Sequence, residues 1–168
     1  HTLIFAPTNS GKTAILTTID AAFQKYKIRS FFFDRDCGCE NYVRANRGTY
    51  YPLKMGVSTG FNPCQLSDTP SNREFLRNFF KELSTYGNET LTALDEIALA
   101  DLVDRNYSLP FETRNLSNIV PFLPKEFSGR DSFSRYLNAV NYSGNSGSLA
   151  YLFDNQTDTL DLNVHCAG

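Results

Sequence analysis

Eight consecutive residues near the start of the chain have the types and the spacing of a phosphate-binding P-loop: Ala6, Pro7, Thr8, Asn9, Ser10, Gly11, Lys12 and Thr13. Such a loop turns backbone N–H groups at the positive end of a helix towards the phosphates of a nucleotide. Gly11 lets the backbone approach the phosphates, Lys12 reaches the outer phosphates as a catalytic cation, and Thr13 ligates Mg²⁺. The loop therefore predicts that all eight residues surround ATP and Mg²⁺.

Two positions of the loop depart from its most glycine-rich form. Ala6 stands where the first glycine is common, and Asn9 stands where another glycine is common. Asparagine tolerates the left-handed backbone region, and alanine is acceptable at a negative φ. An accidental match is the alternative, and the elements expected on both sides of the loop disfavour it.

Two acids, Asp34 and Asp36, follow an apolar run at residues 30–33. In an open α/β sheet, ligands bind beyond the carboxyl ends of the strands, so acids at this position would face the phosphates. Asp36 follows Lys12 by 24 positions (36 minus 12), a spacing similar to that between loop lysine and catalytic acid in RecA-like ATPases. Asp36 is the predicted base for the attacking water and Asp34 the competing choice, while a solvated turn with helix-capping carboxylates is an equal alternative.

The elements that must position these residues are a strand before the loop and a helix after it. Residues 2–5 predict a buried strand, residues 14–23 have apolar side chains at helical spacing, and residues 29–33 predict a second strand. This order predicts an α/β P-loop fold. Because the first strand begins abruptly, we expect the chain to be a piece of a larger protein.

Residues 70–145 change to a helical pattern with short turns. Ser71 or Asn72 is predicted to cap a first helix and Asn88 a second, and further helices are expected near residues 116–122 and 133–140. The apolar stripes are interpreted as core, with a partner-binding face as the alternative. The stripes comprise Phe75, Leu76, Phe79, Phe80 and Leu83 in the first helix, and Leu91, Leu94, Ile97, Ala98, Leu102 and Val103 in the second.

An apolar run that ends in Asp154 has the outline of a magnesium-organising Walker B strand. No second acid follows Asp154, so residues 149–154 are predicted to form a structural strand or edge element instead. The predicted organisation is a P-loop α/β part at 1–69, a helical insertion at 70–147, and a strand and tail at 148–168.

Further blocks resemble the VirB-type ATPase family of type IV secretion and conjugation. The most specific block is the Thr-Gly-Phe-Asn-Pro step at residues 59–63, and the others lie at 32–36, 38–40, 43–45, 48–54, 64–66, 149–155 and 160–162. The resemblance implies a RecA-like P-loop domain of the wider DNA-translocase superfamily, here a partial domain. It also implies a hexamer that works with other type IV secretion components at the cytoplasmic face of the bacterial inner membrane.

The resemblance implies that ATP hydrolysis energises pilus assembly and the transfer of DNA or protein substrates. It also places the Walker B strand beyond residue 168, so this stretch alone is expected to be weak or inactive as an ATPase. Cys37 is a departure, because the family commonly has arginine there. If that arginine contacts phosphate or a neighbouring subunit, this chain lacks the contact.

Composition narrows the possible partners. Sixteen basic and eighteen acidic residues give a net charge of −2, which does not support nucleic-acid binding by bulk charge but leaves a local contact possible. No apolar run reaches the roughly 18 residues of a membrane helix. The alternatives to a motor ATPase are a non-hydrolysing, nucleotide-dependent assembly module and a small-molecule P-loop kinase, which would need an arginine-rich lid.

Overall fold

The computed structural model describes residues 5, 7, 10–85, 90–138 and 147–160. The described residues group into two compact units, the first reaching Pro52 and the second running from Leu53 to Leu160. The first unit contains helix α1, Lys12–Gln24, and helix α2, Glu40–Ala45. The second contains α3, Pro70–Ser84; α4, Ala93–Ser108; α5, Leu116–Ile119; α6, Arg130–Ser134; and α7, Ala150–Phe153. Three short 3₁₀ helices, Pro63–Gln65, Phe111–Thr113 and Val120–Phe122, complete the second unit.

In the first unit, Asp20 on α1 connects the helix to its surroundings. Its carboxylate accepts hydrogen bonds from the hydroxyl of Tyr42 on α2, at 2.8 Å, and from the hydroxyl of Ser30. Burial alone would raise the pKa of Asp20, but the hydrogen bonds from Ser30, Gln24 and Tyr42 lower it overall. Burial and the neighbouring Asp20 raise the pKa of Tyr42 to about 12. This cluster fixes α2 and the segment before it relative to the P-loop helix.

Two threonines set the starts of the long helices in the second unit. The hydroxyl of Thr69 accepts from the backbone N–H of Asn72 and caps α3, whose first residue is proline. Thr92 and Asp95 form a reciprocal capping box at the start of α4. The predicted caps at Ser71 or Asn72 are therefore wrong, because the observed cap lies two or three residues earlier. The predicted cap at Asn88 lies outside the described residues.

The core of the second unit lies between α3, α4 and α6. Leu76 and Phe80 are fully buried, and burying such a side chain is worth about 1.5–3 kcal/mol. The other large, fully buried apolar side chains are Phe133, Leu99, Leu102, Leu116 and Ile119. The helical pattern correctly identified α3 and α4, but it did not identify which apolar residues are buried, since Phe75, Leu94 and Ile97 are exposed.

The predicted α/β sheet is wrong for the part of the chain that the structure describes, which contains helices and no β-strand. The first predicted strand lies almost entirely outside the described residues. At the second, residues 29–33, the backbone forms no ladder with any other described segment, and Phe31 and Phe33 are exposed. A β-strand is stable only where a neighbouring strand pairs with its backbone N–H and C=O groups. The apolar run at residues 29–33 has no such partner strand among the described residues.

The predicted strand at residues 149–154 is also wrong, because this segment forms helix α7. The backbone N–H of Asp154 donates to the carbonyl of Ala150, which closes a helical turn. Phe153 packs edge-on against Phe79 with ring centroids 5.1 Å apart. A short apolar run is compatible with a buried helical turn as well as with a strand, and contact with α3 decides between them here.

Candidate nucleotide site

The described part of the predicted P-loop turns directly into α1. Gly11 has φ of 82°, in the left-handed region that favours glycine, and α1 begins at the next residue, Lys12. The carbonyl of Pro7 accepts from the Ser10 hydroxyl at 2.6 Å and from the Lys12 ammonium at 2.5 Å. The Lys12 side chain thus reaches back over the loop. Ala6, Thr8 and Asn9 lie outside the described residues.

The loop that carries the two predicted acids contacts the start of α1. A Cβ atom placed on Gly38 would lie 3.4 Å from both Oγ1 and Cγ2 of Thr13. Gly38, two residues after Asp36, therefore lies beside the threonine predicted to bind Mg²⁺. In the sequence, Gly38 is notable only as part of the block at residues 38–40 that resembles the family. Its contact with Thr13 was not predicted.

Asp34 and Asp36 have different surroundings. Asp34 is half-buried, and its Oδ2 accepts from the backbone N–H of Cys39 at 2.7 Å, at the turn that leads into α2. Asp36 is exposed, and no other described residue forms a hydrogen bond or ion pair with it. Asp34 thus stabilises the turn, whereas the carboxylate of Asp36 is accessible to a ligand.

Cys37 occupies a left-handed backbone position with φ of 57° and is exposed. A side-chain hydrogen bond between Cys37 and Tyr50 raises the pKa of Tyr50, and partial burial and nearby carboxylates add to this effect. The Arg44 guanidinium lies 5.7 Å from the centre of the Tyr50 ring. Burial, together with Asp34, raises the pKa of the neighbouring thiol of Cys39. The Cys39 thiol is therefore held in its protonated form near neutral pH.

The Thr-Gly-Phe-Asn-Pro segment is held in the second unit by buried amides. The Asn62 side chain is fully buried and donates to the carbonyls of Arg114 and Asn155, each at 2.8 Å. Its Oδ1 accepts from the backbone N–H of Cys64, which caps the following 3₁₀ helix. Gln65 makes similar contacts with the residue 156–158 segment. The most specific motif of the sequence thus has a structural role: it joins its own segment to Arg114 and to residues 155–158. Residue types alone did not reveal this role.

Asp154 joins three of the short helices. Its carboxylate accepts from the backbone N–H and hydroxyl of Ser117, at 3.0 and 2.5 Å, and from the backbone N–H of Asn138 at 2.6 Å. Because these donors come from the start of α5 and the segment after α6, the carboxylate links both to the end of α7. This is a structural role for the acid that resembles a Walker B residue.

The chain is similar along its whole length to components of type IV secretion systems. It is 33% identical to the virB4 protein of Bartonella henselae, in an alignment that covers 100% of this chain and 21% of that protein. It is 30% identical to the PtlC protein of Bordetella pertussis, covering 96% of this chain and 21% of that protein. The virB4 protein of Brucella suis is 25% identical over 98% of this chain.

The chain spans about a fifth of the length of these relatives. No family model matches it. Within the described residues, none of the helices combines the length and hydropathy required to cross a membrane.

Proposed function

Since this chain belongs to the VirB4 family of type IV secretion proteins, we propose that it binds ATP with Mg²⁺ at the start of α1. The observation that carries the proposal is the junction at Gly11. A left-handed glycine is followed at once by a 13-residue helix that begins with Lys12 and Thr13. The N-terminus of a helix is an anion site, because its first backbone N–H groups point outwards and its dipole favours negative charge.

The side chains at this junction have the chemistry that a nucleotide requires. The Lys12 ammonium lies against the loop, where it donates to the carbonyl of Pro7, and a phosphate oxygen accepts a stronger hydrogen bond from an ammonium than a carbonyl does. The Thr13 hydroxyl is exposed at the first turn of α1, where it could hold Mg²⁺ between itself and the phosphates. When bound, Mg²⁺ would neutralise charge that develops on the phosphates during transfer.

The two predicted acids have separate roles in this proposal. Asp36 orients or deprotonates the attacking water, because its carboxylate is exposed in the loop that contacts the start of α1. Asp34 holds the turn through the backbone N–H of Cys39 and so positions that loop. Of the two candidate bases, Asp36 is thus the one whose side chain is exposed.

Membership of this family supports a proposal for the longer protein. We propose that the longer protein hydrolyses ATP, assembles as a hexamer at the cytoplasmic face of the inner membrane, and energises pilus assembly and substrate transfer with other secretion components. The virB4 and PtlC proteins are named as parts of type IV secretion systems, which supports a role in such a system.

Steady-state turnover by the purified longer protein tests the division of roles. Asp36→Asn should retain ATP affinity within about twofold and lose turnover by about 10²-fold or more, as expected for loss of general base catalysis. Asp34→Asn is the matched control, and it should change KM as well as kcat because it loosens the loop. If both variants bind ATP but neither wild type nor variant hydrolyses it, the protein is a nucleotide-dependent assembly module. Full turnover by Asp36→Asn would contradict the proposed base.

A further inference from the structure

Helix α4 presents a second apolar stripe beside the one that it buries. Leu99, Val103 and Asn106 face the core, whereas Leu94 and Ile97 are 77% and 58% exposed. Positions 94, 97, 101 and 105 follow helical spacing and therefore share one side of α4. Isolated exposed apolar residues are ordinary, so this stripe matters only if it is part of a continuous surface.

The stripe forms one wall of a groove. The opposite wall is the segment after α5, where Phe122 is 52% exposed and Phe127 is buried at the base. The groove has a volume of about 550 Å³, within the range of sites that hold ligands or side chains of a partner. Arg105 lies with its guanidinium 5.6 Å from the centre of the Phe122 ring and borders the groove at one end.

The charges around the groove are predominantly negative. Asp95, Asp101 and Glu126 line it, and Arg105 is the one basic residue among its lining residues. Asp101 and Glu126 are exposed, and neither has an ion pair with another described residue. The carboxylate of Asp95 accepts from neutral groups of Thr92 and Ser128, so its negative charge is not compensated there by a cation.

We propose that this groove, defined by Leu94, Ile97, Asp101, Phe122 and Glu126, is a docking site for a cationic amphipathic segment of a partner protein. Apolar side chains of that segment would cover Leu94, Ile97 and Phe122, and its lysines or arginines would pair with the two carboxylates. An amphipathic helix in a groove is a common mode of peptide recognition. The proposal is independent of nucleotide binding, because every residue involved lies in the second unit.

The same charges argue against two other occupants. Nucleic acids and anionic membranes are both bound through basic side chains, and uncompensated carboxylates at the rim would repel them. A second copy of this chain would have to offer a cationic apolar surface to the groove. Binding of a second copy would be detected as self-association of the protein.

The probe is a fluorescent synthetic peptide with leucine at the apolar positions of a helix and lysine at the polar positions. A matched peptide carries glutamate in place of lysine. Fluorescence anisotropy with the purified protein measures the dissociation constant of each, and analytical ultracentrifugation measures the mass of the protein without peptide. The lysine peptide should bind and the glutamate peptide should not.

Variants then locate the binding surface. Ile97→Asp should weaken binding of the lysine peptide by about tenfold or more, because it places a charge on the apolar wall. Met55→Asp is the matched control, since Met55 is exposed outside the groove, and it should leave the dissociation constant unchanged.

A second pair of variants tests the charges. Combining Asp101→Lys with Glu126→Lys should weaken binding by about tenfold, as expected for two exposed ion pairs at low salt. Combining Glu74→Lys with Glu82→Lys, on the exposed side of α3, makes the same change of net charge and should have little effect. Circular dichroism verifies that each variant is folded.

Three results would overturn the proposal. They are equal affinity for both peptides, binding that Ile97→Asp leaves intact, and absence of binding by the lysine peptide. Self-association of the wild type that Ile97→Asp abolishes would instead assign the groove to a second copy of the chain.

Discussion

Replacing Gly60 by alanine tests how tightly the Thr-Gly-Phe-Asn-Pro segment is fitted to the end of the second unit. Gly60 has φ of 73°, and a Cβ atom on it would overlap Oγ1 of Thr159 and lie 3.4 Å from the Cβ of that residue. The backbone carbonyl of Gly60 accepts from the Thr159 N–H at 2.7 Å, so the two segments cannot separate without losing that bond.

Gly60→Ala should lower the free energy of unfolding for two reasons. A matched glycine elsewhere in the chain, Gly56, allows the two contributions to be separated. A left-handed backbone costs an L-residue about 1–2 kcal/mol, and displacing the Thr159 hydroxyl breaks its hydrogen bond to the Gly60 carbonyl, which is worth about 0.5–1.5 kcal/mol. Gly56 has nearly the same φ, 72°, and no atom within 4 Å of an added Cβ. Gly56→Ala should therefore lower the free energy of unfolding by the first part alone, and Gly60→Ala should lower it by about 1.5–3.5 kcal/mol.

Urea unfolding followed by far-UV circular dichroism measures the free energy of unfolding of both variants. Gly60→Ala is also measured in a protein that carries Thr159→Ala. Removing the Thr159 hydroxyl should reduce the cost of Gly60→Ala to about that of Gly56→Ala. Equal destabilisation by Gly56→Ala and Gly60→Ala in the wild-type background would refute the close fit. So would a cost of Gly60→Ala that is unchanged by Thr159→Ala.

Two further predictions concern buried polar groups. The hydrogen bond from the Thr92 N–H, opposed by burial and aided by Ser128, lowers the pKa of Asp95 to about 2. Asp95 should therefore contribute about 1–2 kcal/mol of stability above pH 4, and this should be lost as the pH falls through 2. Asp95→Asn should remove that part of the pH dependence of urea unfolding, and an unchanged profile would contradict it. Asn62→Ala leaves two buried carbonyls without their donor and should cost about 2–4 kcal/mol. Asn72→Ala, at a partly exposed position, should cost less than about 1 kcal/mol. Similar midpoints for these two variants in thermal unfolding would argue against the buried junction.

Local signals in the sequence predicted local structure well. The helix after the P-loop begins where Gly11 and Lys12 indicated, and the apolar spacing correctly indicated α3 and α4. The start of α4 carried a further signal, since threonine followed three residues later by an acid is a capping box. Those features depend on neighbours within a few residues, which a sequence displays directly.

Features that depend on distant partners were not predictable in the same way. The run at 29–33 has strand-like residues but no ladder with another described segment, and the run at 149–154 forms α7 because Phe153 packs on Phe79. The partners of Asn62 lie 52 and 93 positions away along the chain. Residue types gave no indication that this motif is an architectural junction.

The central claim is that the junction of the P-loop with α1 binds ATP, and equilibrium binding of ATP with Mg²⁺ by isothermal titration calorimetry tests it most directly. Lys12→Ala should weaken binding by about tenfold or more, since it removes a charged partner worth about 1.5–3 kcal/mol. Lys25→Ala, the same change at the other end of α1, should leave the affinity unchanged. Equal affinities for wild type, Lys12→Ala and Lys25→Ala would contradict the claim.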